Sequence, residues 1–208
     1  MINIDLLYTE LLNNKKQYLF FNKDNKEYVL TKEKSIIPIH NTKEFIDKYK
    51  NDIYYRTHII DDDININIHD LKLYYSYINK YRNELTNKKY DKYLFGCIAI
   101  KTDNGFITTI RGKEDLDEYT VVTSVDHDKH IVTVNNKKAT LNAPLLDNIF
   151  KNKKIKVIVH LHEFDNKLPY YEYAFPGTVK DSYRNNNTSF NIRYHGLFYL
   201  FDNEGNLL

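Results

Sequence analysis

The chain has 208 residues, a formal net charge of +2 with acidic and basic residues interspersed, and a single cysteine, Cys97. That length suits one domain, or one domain with an extension, and buries a real core without disulfide staples, so a reducing compartment is expected. The balanced charge removes the electrostatic case for nucleic acid or an anionic membrane surface. No secretion-type leader and no membrane-length apolar run occurs, so the reading is a cytoplasmic protein with no membrane partner. The overlapping sequons at Asn186 and Asn187 are then chance matches.

The elements follow in chain order. A helix is expected from Ile4 to Leu12, then strands Gln17 to Phe21 and Glu27 to Leu30 joined around Asp24-Asn25. Thr42 is placed to cap a short helix with Glu44 in its first turn. After the acidic run Asp61-Asp62-Asp63, the spacing of Leu71, Tyr74, Tyr75, Ile78 and Tyr81 predicts a helix over 70–85. All six glycines and three of the four prolines fall after residue 95, so the chain changes character near Tyr93. Strands are predicted from Leu94 to Lys101 and Phe106 to Ile110 around a turn at Asp103-Asn104-Gly105, then Tyr119 to Val125 and His130 to Val134. Pro144 opens a helix ending near Phe150, and a buried strand runs from Ile155 to His162. Extended segments Phe190 to Tyr194 and Leu197 to Phe201 complete the chain. Mostly antiparallel strands with a few helices make the fold class α+β.

His160 and His162 lie two apart on a strand, so their imidazoles share one face and stand close enough to share a cation. An isolated His-x-His is weak evidence. Its position at the end of an apolar strand, followed by Glu163 and Asp165, strengthens it. His195 is a third candidate, read as lying inside another strand directly before Gly196. Three histidines with an open fourth position are a catalytic rather than a structural ligand set, with zinc the best-suited divalent ion. His40, His58, His69, His127 and His130 lack such spacing and read as surface residues.

The run from Lys156 to His162, Lys-Val-Ile-Val-His-Leu-His, resembles the metal-binding strand of the class II aldolase/adducin family, the family of fuculose-phosphate aldolase and ribulose-phosphate epimerase. Other stretches resemble its segments in the same order. Phe95-Gly96-Cys97-Ile98-Ala99 is similar to its Gly-Asn-Ile-Ser strand, and the run from Gly105 to Gly112 to its strand ending Thr-Pro-Ser-Gly. Leu141-Asn142-Ala143-Pro144-Leu145 is similar to its Ser-Glu-Thr-Pro-Leu helix entry. Tyr173-Ala174-Phe175-Pro176-Gly177-Thr178 resembles its Pro-Gly-Thr segment, and Tyr194-His195-Gly196-Leu197 its Asn-His-Gly-Leu. The resemblance covers about residues 76–208, leaving 1–75 as an N-terminal extension or subdomain of unknown role. It implies an α/β/α layered domain around a mostly antiparallel central sheet, and a homo-oligomer.

By the same resemblance, His160, His162 and His195 are metal ligands. The function implied is a divalent-metal-dependent lyase or epimerase acting on a small phosphorylated sugar or hydroxy-ketone through a metal-stabilised enediolate. Departures from the pattern matter. The position of Asn142 carries a proton-moving acid in the enzymes, and an amide cannot take up a proton at neutral pH, leaving Asn142 a substrate-binding role. Glu163 and Tyr173 are the candidate catalytic groups in its place. Cys97 and Arg111 replace the family's phosphate-binding Asn and Ser, and Arg111 beside Gly112 is a fork for a phosphate or carboxylate. The alternative is a non-catalytic, adducin-like binding or assembly module, which the amide at 142 favours.

Overall fold

Asp24 and Asn25 both take positive φ (50° and 58°) in the computed structural model, the backbone that a two-residue hairpin turn demands. They join β1 (Tyr18–Lys23) to β2 (Lys26–Thr31), which pairs on its other side with β3 (Ile36–Ile39). β3 was not expected from sequence because Pro38 interrupts it; at a sheet edge the missing N–H removes no ladder bond. α1 (Ile4–Asn13) starts at Asn3, whose side chain accepts from the Asp5 and Leu6 N–H groups. α2 (Thr42–Tyr49) is capped by Asn41, not Thr42, since the Asn41 oxygen accepts from Lys43 and Glu44. These elements form one compact unit, Met1–Asp52, and Ile53–Leu208 form a second. The structure describes residues 2–62, 64–87, 89–90, 92–184 and 187–208; Asp63 of the acidic run and the sequon at Asn186 lie outside them.

The second unit comprises β4 (Arg56–Ile60), α3 (Ile68–Lys80), α4 (Arg82–Asn87), β5 (Lys89–Tyr90), β6 (Tyr93–Leu94), β7 (Cys97–Thr102), β8 (Gly105–Thr109), β9 (Tyr119–Asp126) and β10 (Ile131–Asn135). It continues through α5 (Ala143–Phe150), β11 (Ile155–Leu161), β12 (Tyr170–Tyr171), α6 (Val179–Ser182), β13 (Phe190–Ile192) and β14 (Gly196–Asp202). Among the described residues, nine strands form one sheet in the order β12-β13-β14-β11-β7-β8-β9-β10-β4. Only β12 with β13 and β10 with β4 are parallel, which bears out the α+β class with a mostly antiparallel central sheet.

The helix expected over 70–85 breaks at Tyr81 into α3 and α4. Residues 75 and 76 lie inside α3, and the compact units divide between Asp52 and Ile53. α3 buries Tyr74, Tyr77 and Ile78 against Ile98, Ile100, Ile107, Val157 and Val159 on one face of the sheet. α5 covers the other, where Phe150 meets Phe106 with ring centroids 5.4 Å apart. No described helix is long and apolar enough to cross a membrane.

β11 runs through the middle, antiparallel to both β14 and β7, with His160 opposite Phe198 and Cys97. Its neighbours approach closely because glycine stands where a side chain would collide. A Cβ at Gly96 (φ 81°) would lie 2.6 Å from the His160 carbonyl oxygen, and one at Gly196 (φ 145°) would overlap the Leu161 carbonyl oxygen. Gly196→Ala is therefore expected to cost about 3 kcal/mol, combining a strained backbone with a clash against a fixed strand. Urea unfolding followed by circular dichroism measures it; a loss well below 1 kcal/mol would show that β11 and β14 move apart easily.

Candidate metal centre

Side-chain alternation along β11 sends Leu161 into the apolar layer under α3 and His160 to the opposite face. The His160 ring lies flat on Phe198, with centroids 4.2 Å apart and planes inclined by 14°. β11 ends at Leu161, and His162 follows at the bend, its ring stacked on Phe95 at 5.2 Å. His195 belongs to the tight turn between β13 and β14 rather than to a strand, the sequence expectation here being corrected by the Ile192–Gly196 pairing that closes this turn. Arg193, Tyr194 and His195 must reverse the chain there, and Tyr194 takes φ 62° to do so.

The turn delivers His195 to the other two histidines. Ring centroids are 4.5 Å apart for His160 and His195, 4.9 Å for His160 and His162, and 5.2 Å for His162 and His195. One ring nitrogen of each lies within 4.8 Å of the others. Nitrogens sharing a tetrahedral zinc stand roughly 3.4 Å apart, given Zn–N bonds of about 2.1 Å, so the three would draw together on binding one ion. His160 Nδ1 is 2.9 Å from the Leu197 carbonyl oxygen. A carbonyl only accepts, so Nδ1 carries the hydrogen and Nε2 keeps its lone pair. That Nε2, and Nδ1 of His195, are buried with no hydrogen-bond partner. Burial pushes the His160 imidazole down to about 4, against the pull of the Leu197 hydrogen bond. It pushes His195 well below its ordinary value too, and the neighbouring His160 and His162 add to this. Both rings are thus neutral, the form that binds a metal, and the residues fit a divalent ion.

The remaining predicted residues divide by location. Tyr173 is buried (3 % exposed) with its ring 6.5 Å from that of His195. Asn142 is buried and directs its amide toward the Cys97 thiol, while its Oδ1 has no hydrogen-bond partner. Arg111 and Gly112 are exposed beyond the end of β8. Glu163 lines a groove with Lys80, Tyr81, Leu161 and Tyr199 and is not gathered with the histidines. The centre thus collects the three histidines, Tyr173 and, through Cys97, Asn142.

Lys113 escaped the sequence reading. It follows exposed Gly112 yet is only 4 % exposed, and its Nζ donates to the carbonyls of Leu94 (3.1 Å) and Gly96 (2.5 Å). No acidic side chain pairs with it among the described residues. Burial lowers its ammonium to about 8. A lone lysine after a glycine gives no periodic signal, so sequence offered no warning.

No family model matches the chain, and no curated protein matches it. Among solved structures it is similar to an L-fuculose 1-phosphate aldolase, at 14 % identity over 66 % of this chain and 77 % of that one, with a TM-score of 0.47. It is also similar to the L-fuculose-1-phosphate aldolase of Thermus thermophilus, at 13 % identity over 64 % of this chain and 81 % of the other, with a TM-score of 0.44. A third is YgbL of Escherichia coli, described as an aldolase/epimerase/decarboxylase, at 15 % identity over 64 % and 76 % with a TM-score of 0.42.

Two measurements test this centre. Protein purified from zinc-supplemented medium is expected to carry about one divalent ion per chain, lost in His160→Ala, His162→Ala and His195→Ala. Elemental analysis finding no metal in the wild type would remove the ligand assignment. The second concerns Lys113, whose folded value of about 8 lies below the ordinary 10.5. Between those values the unfolded chain binds more protons, so stability rises with pH. Tyr74, raised by burial, works in the opposite direction above its ordinary value of 10.0, which leaves pH 8 to 10 as the window. The wild type should gain on the order of 2 kcal/mol across it relative to Lys113→Met, measured by urea unfolding at stepped pH. Parallel pH profiles would place the ammonium in solvent.

Proposed function

We propose that the chain is a divalent-metal-dependent carbon–carbon lyase or epimerase acting on a small phosphorylated sugar or hydroxy-ketone. The observation that carries this reading is the set of clustered imidazoles whose buried nitrogens at His160 and His195 have no protein partner. A purely structural role gives no reason to gather such groups, because an unpaired buried polar atom costs free energy. Zinc suits three imidazoles, and when bound it supplies Lewis-acid polarisation of adjacent hydroxyl and carbonyl oxygens.

The protein's own residues divide the remaining work. His160, His162 and His195 hold the ion. Tyr173, packed beside His195, moves the proton at its phenol oxygen. Asn142 binds a substrate hydroxyl or carbonyl through its carboxamide, which can donate or accept. Arg111, beside Gly112, takes the phosphate as a bidentate fork. Glu163 serves as the acid only if the bend after Leu161 turns it out of its groove. The second reading, an adducin-like binding or assembly module, is favoured by one observation: the amide of Asn142 stands where the resemblance requires an acid.

Zinc-loaded protein is expected to cleave or epimerise at least one member of a panel of ketose phosphates. Tyr173→Phe should lower turnover by roughly a hundredfold with metal content unchanged, and Glu163→Gln by much less. The reverse order would move the proton to Glu163. No turnover by a metal-loaded wild type on the whole panel would favour the binding module. The chain is also expected to form a homo-oligomer, and light scattering at micromolar concentration showing a monomer would contradict that.

A further inference from the structure

Away from the histidines, four side chains from four segments of the second unit converge. Tyr55 precedes β4, His127 sits in the turn between β9 and β10, Asp147 lies on α5, and Ser182 ends α6. Tyr55 Oη is 2.6 Å from His127 Nδ1 and 3.2 Å from Ser182 Oγ, and His127 Nε2 is 2.9 Å from Asp147 Oδ2. The hydrogens follow from the chemistry. An ionised carboxylate only accepts, so His127 Nε2 carries the hydrogen, and the Nδ1 of the neutral ring accepts from the Tyr55 hydroxyl. Ser182 Oγ, 2.8 Å from the Val179 carbonyl oxygen, shares its proton between that oxygen and Tyr55 Oη.

A carboxylate that orients an imidazole, which in turn takes the proton of a hydroxyl, is the arrangement that activates an oxygen nucleophile. The competing explanation is a latch that ties β9–β10, α5 and α6 together. A latch has no need of access, yet the His127 and Asp147 side chains are 15 % and 28 % exposed and Tyr55 is only half-buried. Burial raises the Tyr55 phenol above its ordinary value, opposed by the Ser182 hydrogen bond. The resting group is therefore the neutral phenol, which needs a base at the moment it attacks.

We propose that Tyr55 is a reactive nucleophile that accepts an acyl group from activated carboxylic esters, with His127 as its base and Asp147 as the residue that positions His127. As Tyr55 Oη bonds to the ester carbonyl carbon, its proton passes to His127 Nδ1. The bond from carbon to the leaving oxygen breaks with its electron pair on that oxygen, which recovers the proton from His127. Tyrosine and ester thus give acyl-tyrosine and free alcohol, with no change of oxidation state. The site does not depend on the metal centre or on the function proposed for it.

The test treats the full-length chain with para-nitrophenyl acetate and maps acetylated residues over time by peptide mass spectrometry. Tyr55 should be acetylated at least about tenfold faster than Tyr171 and Tyr183, which are more exposed (39 % and 61 %). His127→Gln should slow Tyr55 by a similar factor, and Asp147→Asn by less, with folding checked by circular dichroism. Equal rates at the three tyrosines, a label on Ser182 in place of Tyr55, or an unchanged Tyr55 rate in folded His127→Gln would each overturn the proposal. The comparison among tyrosines is internal to the wild type, so it stands even where a variant does not fold.

Discussion

Close approach of three strands at β11 is the constraint on which the centre depends. β14 and β7 flank it, and a glycine meets its backbone from each side, Gly196 of β14 at Leu161 and Gly96, just ahead of β7, at His160. With its backbone held on both sides, strand alternation alone decides that Leu161 joins the layer under α3 while His160 turns to the other face. Gly196 has a second effect. It starts β14 immediately after His195, so the contact that fixes the strand also fixes the turn presenting the third imidazole. Ligand position is thus set by main chain rather than by side-chain packing.

Burial and neighbouring positive charge outweigh the Leu197 hydrogen bond at these rings. His160 and His195 are buried, and Lys113 adds a positive charge that further disfavours protonating His160. The rings stay neutral and keep lone pairs that the protein leaves unused. Lys113 itself is held by two carbonyl dipoles and no carboxylate, and its burial lowers its proton affinity. A cation entering beside it meets some repulsion, whereas an anion carried in with that cation does not.

Much of this was legible in the sequence because it rests on local rules. Strand alternation put His160 and His162 together, Asp24-Asn25 signalled a hairpin, and Pro144 opened α5. The misreadings came where tertiary packing overrides local pattern. Apolar residues continue past Lys80 at helical spacing, yet the helix breaks at Tyr81. Thr42 and Asn41 are both good caps, and only the fold chooses between them. His127 looks like a surface residue, and its partners Tyr55 and Asp147 are 72 and 20 positions away, beyond any motif. Lys113 is hidden by the same logic, since its acceptors are backbone carbonyls that carry no residue signature.

The parallel edge strand has a consequence for how the sheet is assembled. β7, β8, β9 and β10 form a meander whose links have two, nine and four residues, so those pairings close small loops. β4 precedes the meander by the whole of α3 and α4, yet its only sheet partner among the described residues is β10, at the meander's far end. It has nothing to dock on until β10 is in place, and so it joins late. Until then the outer edge of β10, with Val132 and Val134 beside it, presents unpaired N–H and C=O groups as a template for a strand from another chain. The interval between forming the meander and docking β4 is when newly made chains are most exposed to intermolecular strand pairing.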